Sequence, residues 1–127
     1  MSTLVAQTIS NGTVSTSSAN VIQGSAKAWV NFNGVTTTTI RASFNVSSVT
    51  RNATGNFTVN FTNALADANY AATMSLAAPD VGNGVVVKSP SVTGTPDLKS
   101  TTQLQIIVTN ASAVYVDGSQ IYVSVFR

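Results

Sequence analysis

The chain contains no cysteine, no histidine and no glutamate. Without cysteine there is neither a disulfide nor a thiolate metal site. Without histidine the commonest metal ligand and the commonest general base are missing. The carboxylate side chains are Asp67, Asp80, Asp97 and Asp117 alone, which removes most hydrolytic chemistry and sets the expectation of a non-enzymatic protein without cofactor or metal. Charge of either sign is scarce, at 8% of 127 residues against about 25% in ordinary soluble domains. The six cations, Lys27, Arg41, Arg51, Lys88, Lys99 and Arg127, form no run, and the net charge is +2. A nucleic-acid partner would require a cluster able to neutralise several phosphates, so none is expected. No stretch approaches the ~18 consecutive apolar residues of a membrane span, so no membrane insertion is expected. The opening Met1-Ser2-Thr3-Leu4-Val5-Ala6 lacks the basic and uninterrupted apolar regions of a signal peptide, which places synthesis in a cytoplasm without export information.

Hydroxyl and amide groups fill the space that charge leaves: Ser, Thr and Asn number 46. Hydrophobic residues reach 43%, too many for a disordered chain, and the length suits one domain with a real core. The dominant pattern is alternation with period two, the mark of half-buried strands. Ile40, Ala42, Phe44 and Val46 alternate with Thr39, Arg41, Ser43 and Asn45. Phe57, Val59 and Phe61 form an inward set, and Leu104, Ile106 and Val108 another. The final segment is apolar on both faces, with Ile121, Val123 and Val125 on one and Tyr122 and Phe126 on the other. That strand is expected to be central in its sheet or packed on a neighbouring subunit.

Asn33-Gly34 is a hairpin signal, Asn52–Asn56 reads as a longer hairpin loop, and Gly82-Asn83-Gly84, Gly94–Asp97 and Asp117-Gly118 mark later loops. The alanine-rich stretch from Ala64 to Ala78 has helical propensity, but its second half alternates through Tyr70, Ala72, Met74 and Leu76, which favours a short turn through Ala68 followed by a strand. Seven to nine short strands with frequent turns point to an all-β fold, an antiparallel β-sandwich of jelly-roll type. Residues 1–25, mostly Ser, Thr, Asn and Gly from Ser10 onward, read as an N-terminal strand, arm or linker that orders on assembly. Residues 26–127 read as the sandwich.

Three side chains stand out as candidate contacts. Trp29 shares its face with Asn31 and Asn33, opposite Ala28, Val30 and Phe32. A tryptophan among amides suits stacking on a sugar ring, but large aromatics also dominate subunit interfaces, and the interface is the simpler reading. Tyr122 and Phe126 are candidates for the same kind of contact. The aspartates are spread along the chain, three of them beside turn residues, where Asp usually accepts hydrogen bonds from nearby backbone.

The segment Ala26-Lys27-Ala28-Trp29-Val30-Asn31-Phe32-Asn33-Gly34 resembles one found in phage tail-fibre and related virion proteins. Ile40 to Thr50 (IRASFNVSSVT), Gly55 to Thr62 (GNFTVNFT), Asp67-Ala68-Asn69-Tyr70-Ala71 and the ending Ile121 to Arg127 (IYVSVFR) follow in the same order. The chain is thus similar, over residues 26–76 and the last strand, to the tail-fibre tip domains of marine bacteriophages. The hairpin loop departs from that pattern, which often has acidic residues near Arg51 and Asn56, and residues 77–101 match no part of it. The resemblance implies a virion protein that forms homotrimers, attaches to other virion proteins and contacts a host surface glycan or protein. The alternative is a structural capsid fibre or head-decoration protein without receptor binding, which a short chain with no fibre shaft would also fit.

Overall fold

Alternation becomes strand wherever it is long enough to cover one side of a sheet. In the computed structural model the described residues are 2–77, the backbone of 86–88, and 99–127. The N-terminal region carries β1 (Thr8–Ser10), β2 (Ser15–Ser17) and α1 (Ser18–Gly24). The body follows with β3 (Ala26–Asn33), β4 (Thr39–Phe44), β5 (Val46–Ala53), β6 (Asn56–Phe61), β7 (Ala71–Leu76), β8 (Val86–Lys88), β9 (Gln103–Thr109) and β10 (Ile121–Phe126). Among the described residues the protein is therefore all-β apart from one helix of 7 residues. The expected loops at 82–84 and 94–97, with Asp80 and Asp97, lie outside the described residues.

The body strands form two four-stranded sheets, in the orders β4-β3-β10-β7 and β5-β6-β9-β8, with every pairing antiparallel. One hydrophobic cluster takes side chains from both: Ala28, Val30 and Phe32 of β3 and Ile121, Val123 and Val125 of β10 with Phe57, Val59 and Phe61 of β6 and Leu104, Ile106 and Val108 of β9. These are the inward sets read from the sequence. The rings of Phe32 and Phe57 meet edge-on at 5.4 Å and 68° across the two sheets. As expected, β10 is central, bonded to β3 on one side and β7 on the other. Sequence neighbours pair at β3–β4, β5–β6 and β8–β9, and the chain changes sheet between β4 and β5, β6 and β7, β7 and β8, and β9 and β10.

The run Ile40 to Val46 is not one strand with one buried face. Asn31 pairs with Ala42 and Phe32 with Ile40, so Arg41 is an extra residue in a β-bulge that shifts the alternation. Ile40 packs against the core, while Ala42 and Phe44 turn outward. Asn45 then adopts φ 53°, a left-handed conformation that asparagine tolerates better than most residues. The chain leaves one sheet there and enters the other at Val46. The side chain of Asn45 secures this corner, donating to Lys27 O (3.0 Å) and Asn63 O (3.2 Å) and accepting from Asn63 N (2.8 Å).

Two glycines are explained by space. A Cβ on Gly34 would lie 2.6 Å from Cζ of Phe57, so the Asn33-Gly34 signal marks a close approach to the core ring rather than a two-residue turn. The β3–β4 connection is instead five residues, 34–38. Gly55 has φ 64° in the tight Thr54-Gly55 turn, and a Cβ there would meet Val108 O at 2.5 Å. The Asn52–Asn56 loop is thus tighter than expected.

In the alanine-rich stretch, burial overrides helix propensity. Tyr70 is buried edge-on against Phe61, its hydroxyl donates to Gln103 O (3.2 Å), and Ala72, Met74 and Leu76 lie against the core. The expected turn followed by a strand is what forms.

The first 25 residues hold more structure than expected. Asn11-Gly12 closes the β1–β2 hairpin, with Asn11 Oδ1 accepting from Thr13 N (3.0 Å) and Val14 N (2.8 Å) and Gly12 at φ 93°. Ser17 caps α1, accepting from Asn20 N at 3.2 Å. No residue of α1 is buried.

Two substitutions test this packing by urea unfolding. Phe57→Ala is expected to destabilise the fold by about 3–5 kcal/mol. Gly34→Val should also destabilise it by driving a side chain into the Phe57 ring, whereas Gly24→Ala, with nothing within 4 Å of the added carbon and no positive φ, should matter far less.

Candidate functional site

Each sheet has an outer face, and the two differ in chemistry. On β4-β3-β10-β7 the residues between the buried positions are Phe44 and Ala42, then Trp29 and Asn31, then Phe126, Ser124 and Tyr122, then Ala71, Thr73 and Ser75. All three sequence candidates, Trp29, Tyr122 and Phe126, therefore share one face. Phe44 joins them directly opposite Trp29; the sequence reading missed it because the bulge at Arg41 hides the change of parity. Trp29 is 38% and Phe44 55% exposed, while Tyr122 and Phe126, on the central strand, are half-buried. The hydroxyl of Tyr122 donates to Gln120 Oε1 at 2.9 Å, so its ring stays anchored.

The outer face of β5-β6-β9 carries amides and hydroxyls. Asn60 donates to Ser48 Oγ (3.0 Å) and Thr50 Oγ1 (3.2 Å), and Asn52 to Asn56 Oδ1 (3.1 Å) and Thr58 Oγ1 (2.9 Å). Gln105 closes the set with a 2.6 Å bond to Asn56 Oδ1. These cross-strand pairs hold the sheet together as salt bridges would in a more charged protein. They also leave a neutral, hydrogen-bonding surface.

The two described aspartates are each held by an arginine, at opposite ends of the body. Asp117 takes Arg51 Nη2 at 2.7 Å and accepts from Gly55 N at 2.8 Å, which ties the last loop to the β5–β6 turn. The Asp117 bond is the main reason the Arg51 guanidinium is raised above its ordinary pKa. Asp67 is bonded by Arg127 and by Asn69 N (2.7 Å). Strand β10 separates the pairs, a span of roughly 20 Å at ~3.4 Å per residue. Asp67 and Asp117 are thus too far apart to act as the paired acids of a hydrolase. Beside Arg127 lies a shallow groove of about 260 Å³ lined by Lys27, Asn45, Ala64, Leu65 and Ala66. Both cations at its rim are engaged, Arg127 by Asp67 and Lys27 by Ile22 O and Ser25 Oγ. Among the described residues no group of three or more acidic side chains is placed to hold a metal ion, and no helix is long and apolar enough to cross a membrane.

No protein-family model matches the chain, and no curated protein and no solved structure matches it either. The surfaces themselves thus carry the functional argument. The outer face of β4-β3-β10-β7 concentrates four of the nine aromatic residues of the chain, where patches of this kind usually mark an interaction site.

The Arg127 and Asn69 bonds hold the Asp67 carboxyl below the usual carboxylate range, the Arg127 bond most strongly. A depressed folded pKa means that its contribution to stability is present at neutral pH and is lost as pH falls through that lowered value. An NMR titration should show Asp67 protonating below an ordinary aspartate, and Arg127→Ala should move it back upward.

Proposed function

We propose that this chain is a non-enzymatic β-sandwich module of a bacteriophage virion, similar to tail-fibre tips, that assembles as a homotrimer and contributes to host adhesion. The single observation that carries the reading is the aromatic outer face of β4-β3-β10-β7 on a chain with 8% charged residues. Leaving Trp29, Phe44, Tyr122 and Phe126 against water forfeits roughly 1.5–3 kcal/mol for each large side chain that a partner would cover. Interface cores are rich in aromatics and poor in charge, and this face has that composition. The sequence resemblance over residues 26–76 and the last strand supplies the virion setting, the threefold symmetry and the attachment to other virion proteins.

The two outer faces divide the work. The aromatic face joins subunits. The neutral face of Ser48, Thr50, Asn52, Asn56, Thr58, Asn60 and Gln105 stays open and suits the hydroxyls of a host surface glycan, or a host protein, without charge selection. The structural alternative, a capsid fibre or decoration protein, draws support from the mutual hydrogen bonds of those same amides, which satisfy one another without a ligand. Binding of the purified protein to host cells separates the two: retention that Asn60→Asp or Thr58→Asp abolishes favours adhesion, and absence of retention favours the structural role.

Light scattering tests the assembly. The expected mass is three times 13.1 kDa, and it should hardly change between low and high salt, because screening acts mainly on exposed charges. Tyr122→Asp and Phe126→Asp should each dissociate the trimer. A monomer at micromolar concentration, or a mass that falls as salt rises, would contradict the proposal.

A further inference from the structure

We infer that Asn11 is a site of self-modification in the folded chain: its side-chain amide closes on the backbone nitrogen of Gly12, expels ammonia and hydrolyses to aspartate and isoaspartate. The tip of the β1–β2 hairpin thereby acquires a negative charge as the protein ages. The reaction uses no partner or ligand besides water, so the inference stands apart from the self-association proposed above.

Ring closure needs an uncrowded backbone nitrogen, an exit for its proton, and donors on the oxygen that takes up charge. That oxygen is Asn11 Oδ1, which already accepts from Thr13 N (3.0 Å) and Val14 N (2.8 Å). Backbone N–H groups aimed at a developing oxyanion are how enzymes stabilise intermediates of this kind. The nucleophile belongs to Gly12, which has no side chain, and even an added Cβ would meet nothing within 4 Å. Its N–H donates to Ser10 Oγ at 3.0 Å, and Ser10, Asn11 and Gly12 are all exposed. The amide proton therefore faces a hydroxyl in water, where solvent base can take it. As the bond from Gly12 N to Asn11 Cγ forms, that proton goes to solvent base. As the Cγ–Nδ2 bond breaks, Nδ2 takes a proton from water and leaves as ammonia. Water then opens the succinimide. Addition at Cγ gives aspartate, and addition at the main-chain carbonyl carbon of Asn11 gives isoaspartate, whose backbone runs through Cγ.

The same dipeptide at Asn33-Gly34 is built the opposite way. Gly34 is buried, its N–H donates to Gly118 O at 2.8 Å, and the Phe57 ring closes off the space around its Cα. Asn33 Oδ1 takes Val35 N at 3.1 Å, one donor where Asn11 Oδ1 has two. Ring closure at Asn33 would have to break the bond to Gly118 and move a nitrogen that the core holds in place. A third Asn-Gly, at residues 83 and 84, lies outside the described residues. The consequence at Asn11 is specific to its setting. The first 26 residues contain no charged side chain, so the new carboxylate is the first charge in the arm. Isoaspartate also adds one carbon to the main chain inside the turn that sets the pairs Ser10↔Ser15, Ile9↔Thr16 and Thr8↔Ser17. Turn geometry fixes hairpin register, so this product loosens the pairing.

Trypsin separates the three dipeptides, because cleavage after Lys27, Arg41, Arg51 and Lys88 leaves residue 11 in peptide 1–27, residue 33 in 28–41 and residue 83 in 52–88. The full-length protein is incubated folded, at mildly alkaline pH, and mapped over time with aspartate and isoaspartate forms resolved by chromatography. Peptide 1–27 should gain both acidic forms, isoaspartate in excess, at least about tenfold faster than peptide 28–41, the factor set by one buried hydrogen bond that must be unmade. In guanidinium chloride, where both dipeptides are free, the two rates should converge. Asn11 should react in the folded protein at least as fast as in denaturant. Asn11→Gln, whose longer side chain would have to close a larger ring, should leave peptide 1–27 unconverted over the same period. A folded-state rate at Asn11 no greater than that at Asn33, or below its own rate in denaturant, would overturn the inference. Acidic forms of peptide 1–27 that persist in Asn11→Gln would assign the reaction to Asn20 and overturn it as well.

Discussion

Burial between the two sheets is the constraint on which the rest of the molecule depends. Four strands, β3, β10, β6 and β9, each send three apolar side chains into one cluster, and the chain has no cysteine to add a disulfide. Because side chains alternate in a strand, a register slip of one residue would exchange inner and outer faces throughout a sheet. The edge-on Phe32–Phe57 contact, with Gly34 cleared away from it, helps lock that register between the sheets. Everything on the outer faces follows from this, because residues not needed inside are held outside at fixed spacing.

The outer faces then diverge. One is knit by amide and hydroxyl ladders that satisfy their own hydrogen bonds, and the other gathers aromatic side chains that have no such satisfaction to find in water. In a protein with ordinary charge density, surface ions would interrupt the second face. Here a single guanidinium, that of Arg41 at the bulge, reaches it, donating to Asn31 Oδ1 at 3.5 Å, while Lys27 is turned to Ile22 O and Ser25 Oγ. The same scarcity of charge extends through the first 26 residues, which makes arm and face alike in character. A self-associating role accounts for both without invoking chemistry at the paired aspartates.

Much of this was legible in the sequence, for identifiable reasons. The inner sets of β3, β6, β9 and β10 were readable because strict alternation survives wherever a strand stays in one sheet. That Trp29, Tyr122 and Phe126 each point away from the inward set of their own strand followed from the same parity, but that β3 and β10 are neighbours and put them on one face did not. Phe44 was lost because one residue, Arg41, shifts the alternation, and one left-handed residue, Asn45, moves the chain between sheets; both are tertiary events without a strong local signal. The strand order was not legible, because alternation alone says nothing of which sheet a strand joins. The β1–β2 hairpin carried a usable signal, Asn11-Gly12, which the surrounding polar composition masked. The Arg51–Asp117 and Arg127–Asp67 pairs join residues more than 50 positions apart, beyond any local pattern.

The central claim is that the aromatic face of β4-β3-β10-β7 is covered by another copy of the chain. Hydroxyl-radical footprinting read by mass spectrometry tests it directly, with Tyr115, 53% exposed and outside that face, as the internal reference. The account predicts that Trp29 and Phe44 label much more slowly than Tyr115 at assembling concentration and catch up on dilution. Labelling of Trp29 and Phe44 at the rate of Tyr115 at every concentration would contradict it.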